Sequence, residues 1–159
     1  MNTFEQLVGR QIIKVLRLDT GEDFPPLTFP LAIFLLLDEI SGLLIGFGFH
    51  NETTTLNYMS LEDLEKEYGT EWGETSLNEI EPSDKLNSLV GQTLKSIKVG
   101  QLNQNMLIGD NFIIKSGQYA GVVVETDNQK LTIFSTKEGG QILFDSDALF
   151  PNTQSWILT

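Results

Sequence analysis

The side chains present set narrow limits on the chemistry this chain can perform. It has no Cys and a single His, His50, which excludes disulfides, thiolate zinc sites, cysteine nucleophiles and multi-His metal sites. His50 closes an apolar run beside Asn51 and Glu52, and no Gly-x-Ser-x-Gly nucleophile motif is present for it to serve. It reads as a structural or exposed residue. The carboxylates could supply an acid–base pair of the glycosidase kind, which needs two groups about 5 to 10 Å apart with one pKa raised. No two of them stand apart from the rest. Asp145-Ser146-Asp147 carries the Asp-x-Asp of a calcium loop without the following Gly or the closing Glu, so it reads as a turn cap. Gly46-x-Gly48 lies inside a strand pattern, with no helix behind it to receive a phosphate. The expectation is a non-enzymatic protein with no catalytic residue, no metal and no cofactor.

Charge is more informative. The net charge is −12, which disfavours nucleic-acid backbones and anionic membrane surfaces. It is unevenly placed. Residues 19–84 hold fifteen acids and one base, Lys66, while the rest holds seven acids and nine bases. The acidity therefore belongs to one block, either as a solvated surface or as a face complementary to a basic partner. Lys95, Lys98, Lys115, Lys130 and Lys137 fall in the second half without interleaved aromatics, and read as ordinary surface charge. Trp72 sits in an acidic stretch between Glu71 and Glu74, where it would plug an interface or anchor in a partner's pocket.

The elements that must position these residues are mostly strands. Thr3 to Val8 reads as a helical turn ended by Gly9. Gln11–Leu18, Leu31–Leu37, Leu43–His50 and Thr53–Tyr58 read as strands. Asp19–Pro30 reads as a loop stiffened by Pro25-Pro26. Gly46 and Gly48 share one strand face, which predicts close packing by a neighbouring backbone or large side chain, or a sharp bend. Ser60 caps a helix to Tyr68, with Leu61, Leu64 and Tyr68 on one stripe and Glu62, Asp63, Glu65 and Glu67 elsewhere. Thr70–Ser83 reads as a link. Thr93–Val99, Asn111–Lys115, Tyr119–Thr126, Lys130–Ser135 and Gln141–Phe144 are further strands, and the tail from Ala148 to Thr159 carries enough apolar weight to dock.

The pattern Phe4-x-x-Leu-Val-Gly-x-x-Ile-x-x-Val recurs 82 residues later as Leu86-x-x-Leu-Val-Gly-x-x-Leu-x-x-Ile. This predicts a mainly β protein made of a tandem repeat of one small sheet or barrel-like unit, with a short helix and a linker between the copies. The expected boundaries are 1–68, an acidic linker 69–83, and 84–159, with the two lobes packed as one body. Aligning Leu35-Leu36-Leu37 on Phe112-Ile113-Ile114, and Ile45 on Val122, shifts the offset to 77 and places five extra residues in the Asp19–Pro30 loop. Met1 to Glu5 lack the character of a signal peptide, and the longest apolar run, Pro30–Leu37, is too short to span a bilayer. The expected location is cytoplasmic.

The Leu-x-Gly-x-x-Ile-x-x-Val opening followed by short strands resembles small uncharacterised bacterial β-rich domains, some of them similar to immunity proteins that neutralise toxins by covering them. The resemblance covers the start of each copy and carries no functional residues over. It implies an acidic inhibitor of a basic toxin or enzyme, which agrees with the charge block. The expected partner is a protein with a basic surface, met by Asp19, Glu22, Asp23, Glu62, Asp63, Glu67 and Trp72. A small-ligand module with a pocket between lobes, or a structural protein that self-associates through sheet edges, are the alternatives.

Overall fold

In the computed structural model the described residues are 3–20, 30–47, 54–68, 75–101, 107–108, 112–113, 118–119, 121–136, 139–144 and 157–158. They form a mainly β protein with two antiparallel sheets and one α-helix. A 3-10 turn, Thr3–Leu7, leads into β1 (Lys14–Thr20), β2 (Ala32–Leu36), β3 (Ser41–Phe47) and β4 (Thr54–Ser60). Helix α1 (Leu61–Tyr68) then crosses to β5 (Thr75–Glu79). A second 3-10 turn, Lys85–Leu89, precedes β6 (Leu94–Gln101), and a two-residue hairpin, β7 (Leu107–Ile108) with β8 (Phe112–Ile113), follows. The remaining strands are β9 (Gln118–Tyr119), β10 (Gly121–Thr126), β11 (Lys130–Thr136), β12 (Gly139–Phe144) and β13 (Ile157–Leu158).

The first sheet runs β5-β1-β2-β3-β4-β9 and the second β12-β11-β10-β6-β13. Each contains four consecutive neighbours joined as a meander, β1 to β4 in one and β6-β10-β11-β12 in the other. Each also returns a later strand, β5 or β13, to the free side of its first strand. The sheets face one another across a shared apolar core. Val15, Ile33, Leu35, Leu43, Ile45 and Leu56 from the first meet Ile97, Val99, Val122, Val124, Leu131 and Ile133 from the second. On the opposite face of the first sheet Leu16, Leu18, Ala32, Phe34, Leu36 and Leu44 are covered by Leu61, Leu64 and Tyr68 of α1. This second apolar layer explains why β2 is buried along its whole length. Ser60 accepts the Asp63 N–H at 3.0 Å and so starts the helix as its sequence requires.

Between the sheets lies a strap made of the two Leu-Val-Gly segments. The Gly9 N–H donates to the Leu94 carbonyl at 2.8 Å, and the Gly91 N–H donates to the Ile12 carbonyl at 2.7 Å. The Ile12 N–H donates to Gln92 at 2.8 Å, and the Leu94 N–H to Arg10 at 2.9 Å. Each bond is matched by one 82 residues on with the roles exchanged. Gly9 and Gly91 both lie at positive φ, +95° and +90°, where a Cβ is strained. The repeated apolar positions Leu7 and Leu89, Ile12 and Leu94, and Val15 and Ile97 all enter the shared core. Val8 and Val90 both point outward.

Several expectations change. Residues 75–79, read as linker, form β5 on the edge of the first sheet beside β1. Tyr119–Thr126 is two strands in two sheets, because β9 pairs with β4 while β10 pairs with β6. The alignment of Leu35–Leu37 on Phe112–Ile114 is overturned. The place beside β6 that β2 holds beside β1 is taken by β10, and Phe112–Ile113 pair with Leu107–Ile108 instead. Lys14 faces Leu36 and Ser96 faces Glu125, an offset of 89 in the second strand, so the added length lies between β6 and β10. The five extra residues assigned to Asp19–Pro30 are not required. At Gly46 the close neighbour is neither backbone nor a large side chain but the paired Thr55, whose Oγ1 would stand 2.5 Å from an added Cβ. Gly48 lies outside the described residues.

Gly9→Ala and Gly91→Ala have open space for the methyl, so the cost of each is backbone strain alone, about 1–2 kcal/mol. Equal losses are expected in denaturant unfolding, and a loss at one position only would contradict the matched strap. Leu64→Ala is expected to cost about 2–5 kcal/mol by emptying the layer under α1.

Candidate functional site

The residues expected to form one acidic surface are not all brought together. Glu62, Asp63 and Glu67 are exposed on α1, outside the first sheet. Lys66, the one base of the acidic block, pairs with Glu62 at 3.0 Å along the helix, a contribution of a few tenths of a kcal/mol at most. Asp19 leaves β1 on the other side, since Leu16 and Leu18 are the residues that face α1. It is held by Arg17, whose Nε and Nη2 donate at 2.9 and 2.7 Å, and by Asn78 at 3.1 Å. Its charge is thus largely met within the fold. Arg17 also reaches Asp84 at 3.9 Å, and Asp84 caps the second 3-10 turn by accepting the Leu86 N–H at 2.9 Å. Glu22, Asp23 and Trp72 lie outside the described residues, as do His50, Asp145–Asp147, Lys115 and Lys137. Lys95 is engaged by Asp127 at 3.2 Å.

The structure assembles instead a polar network where the strap meets the β2–β3 turn. Asp38 Oδ1 accepts the N–H groups of Ile40 and Ser41 at 2.8 and 2.6 Å, and Oδ2 accepts the Ser41 hydroxyl at 2.7 Å. The Ser41 and Tyr58 hydroxyls are 2.6 Å apart, and Arg10 Nη1 donates to the Tyr58 oxygen at 2.8 Å. Arg10 stands 3.5 Å from Asp38 and over the Tyr58 ring. Hydrogen bonds from Ser41 and Ile40, with the Arg10 charge, hold the Asp38 carboxyl below its ordinary range. The network fixes a turn.

The β10–β11 turn carries the corresponding acid, Asp127, with a different set of partners. Asp127 accepts the Thr93 N–H at 3.0 Å and pairs with Lys95, and these two lower its pKa. Gln92, 82 residues after Arg10, donates to the Ser88 carbonyl at 2.7 Å and to Gln129 Oε1 at 3.3 Å, and accepts from Thr126. One end of the strap gathers Arg10, Asp38 and Tyr58; the other combines the Asp127–Lys95 ion pair with amides and hydroxyls.

Sequence reasoning missed Arg10, Asp38, Ile40, Ser41 and Tyr58, since their meeting needs the strap and the β3–β4 pairing. The available signal was Ile40, a β-branched residue in a short polar turn that favours Gly, Asn or Asp. Among the described residues no group of three or more His, Cys, Asp or Glu is arranged to hold a metal ion, and no helix is long and apolar enough to cross a membrane.

Because the charged form of Asp38 is the one held, its folded pKa lies below the unfolded value. Its contribution to stability is present above the unfolded value and is lost as pH falls through the folded one. An NMR titration of the Asp38 carboxyl is expected to show a midpoint below 3.8, and Ser41→Ala is expected to move it upward. A midpoint at or above 3.8 in the unaltered chain would refute the arrangement. Compared with known proteins, the chain matches no family model, no curated protein and no solved structure, so its functional reading rests on its own residues.

Proposed function

We propose that this chain is a non-enzymatic, acidic protein-binding module, made by duplication of one β unit, that covers a basic surface of another protein in the manner of an immunity-type inhibitor. The observation that carries this reading is the segregation of charge. Fifteen acids against one base fall in residues 19–84, while the remainder is close to neutral. Helix α1 presents Glu62, Asp63, Glu65 and Glu67 to solvent on the outside of the first sheet. Like charges on adjacent turns repel one another and do not assist folding. Such a field steers a cationic partner into encounter and weakens as salt is added.

Duplication is supported by the strap, in which every bond has its counterpart, and by the shared strand order of the two sheets. In this reading one copy bears the acidic face and the other completes the core. Glu22, Asp23 and Trp72 remain part of the proposed surface only through their position in the acidic block, and Asp19, held by Arg17 and Asn78 on the other face of β1, does not join α1 there.

The test is a pull-down from native lysate with the tagged chain, washed at low and high salt, followed by stopped-flow association kinetics with the recovered protein. The expected result is a basic partner released by salt. Combining Glu62→Gln, Asp63→Asn and Glu67→Gln should lower the association rate on the order of tenfold at low salt and flatten its salt dependence. Unchanged kinetics in this variant would remove α1 from the binding face.

A further inference from the structure

We infer that the β2–β3 turn, Leu37–Ser41, is a rigid docking tip whose Ile40 side chain enters an apolar pocket, rimmed by Lys or Arg, on a partner protein. The inference rests on the protein-binding reading and assigns its point of contact. Ile40 is 70% exposed, the most exposed of the large hydrophobics among the described residues. A lone exposed aliphatic is ordinary on protein surfaces. Three features set this one apart.

The first is preorganisation. Asp38 accepts the Ile40 and Ser41 N–H groups, and Ser41, Tyr58 and Arg10 brace Asp38 from behind. The Leu37 N–H closes the loop on the Ser41 carbonyl at 3.0 Å, and the Ile40 carbonyl accepts the Leu61 N–H that opens α1 at 2.7 Å. A tip held at both ends loses little freedom on binding, which leaves more of its contact energy as affinity.

The second is the internal comparison. The β10–β11 turn spans the four residues between Glu125 and Lys130, whereas the β2–β3 turn spans the five between Leu36 and Gly42. Both have an acid in second place. Asp127 is followed by polar Asn128 and Gln129, and Gln129 donates to Ser88 at 2.8 Å. The first turn is longer by one residue, and its Ile40 points away from the fold. The other hairpin forms without an apolar tip.

The third is the surroundings. Tyr58, half exposed, belongs to the same network, and Ile13 and Val8, also exposed, flank Arg10 in the chain. Glu39 is exposed beside Ile40, and Glu62 and Asp63 occupy the first turn of the helix that Ile40 adjoins. An apolar point with acids around it fits a pocket with cations around it, the usual arrangement of an interface core and its rim. That chemistry selects a protein and not a nucleic-acid backbone, which is anionic throughout.

The test places the photo-crosslinking residue p-benzoylphenylalanine at position 40 of the full chain, and at position 129 in a second preparation. Both are irradiated in native lysate. The expected result is a crosslink from position 40 to a foreign basic protein and none from position 129. Excess unaltered chain should suppress it, and excess Ile40→Asp chain should not. Ile40→Asp should weaken binding of the identified partner about thirtyfold, with an unfolding midpoint like that of the unaltered chain. Equal crosslinking from both positions, equal competition by Ile40→Asp, or a crosslink only to another copy of this chain would each overturn the inference. If the pull-down yields a salt-sensitive partner but position 40 gives no adduct, the tip is wrong and the protein-binding reading stands. If neither experiment yields a partner, both fall.

Discussion

The fold depends on one set of bonds, the reciprocal pairing of residues 9–12 with 91–94. Neither sheet is closed by its own meander. Each needs the other for its inner apolar face, and the strap is where the two chain halves are tied in register. The bonds sit beside Ile12 and Leu94, both fully buried, so an unpaired amide there would be left without water. Glycine is required at both turns because the chain leaves each 3-10 turn through positive φ before entering the strap. Forming it joins segments about eighty residues apart, an entropic cost that the shared core then offsets.

The strap also explains the asymmetry of the surface. It presents Arg10 to one hairpin turn and Gln92 to the other. Where the arginine lands, Asp38 and Tyr58 receive it. Where the glutamine lands, Ser88, Thr126 and Gln129 do. The backbone frame is the same and the side chains differ, so the two ends of one scaffold can serve different purposes. Helix α1 adds to the difference, because it brings its acids close to the Arg10–Asp38 end through the Leu61–Ile40 bond.

What was legible in the sequence was local. The alternation and apolar runs located β2 and β3, the Ser60 cap and the Leu61–Leu64–Tyr68 stripe located α1, and the duplicated Leu-Val-Gly marked both strap segments. Non-local pairing was not legible. Thr-Ser-Leu-Asn-Glu at 75–79 has little apolar pattern and becomes a strand because β1 offers it a free edge. Apolar matching aligns Phe112–Ile113 with Leu35–Leu36, yet the place corresponding to β2 is held by β10, with Val122 and Val124 in the core. The acidic block was legible as composition; the Arg17–Asp19 pair is a contact two residues apart on one face of β1, while the Asn78 contact to Asp19 depends on strand pairing.

On the proposed reading the Arg10–Asp38 end of this scaffold, beside α1, meets a basic partner while the Asp127 end does not. Hydrogen exchange of the full chain, free and with the partner bound, addresses it directly, since binding slows exchange in the segments it covers. Slower exchange is expected across 38–41 and 61–68, with 126–130 unchanged. Protection confined to 126–130, or spread equally over both turns, would contradict it.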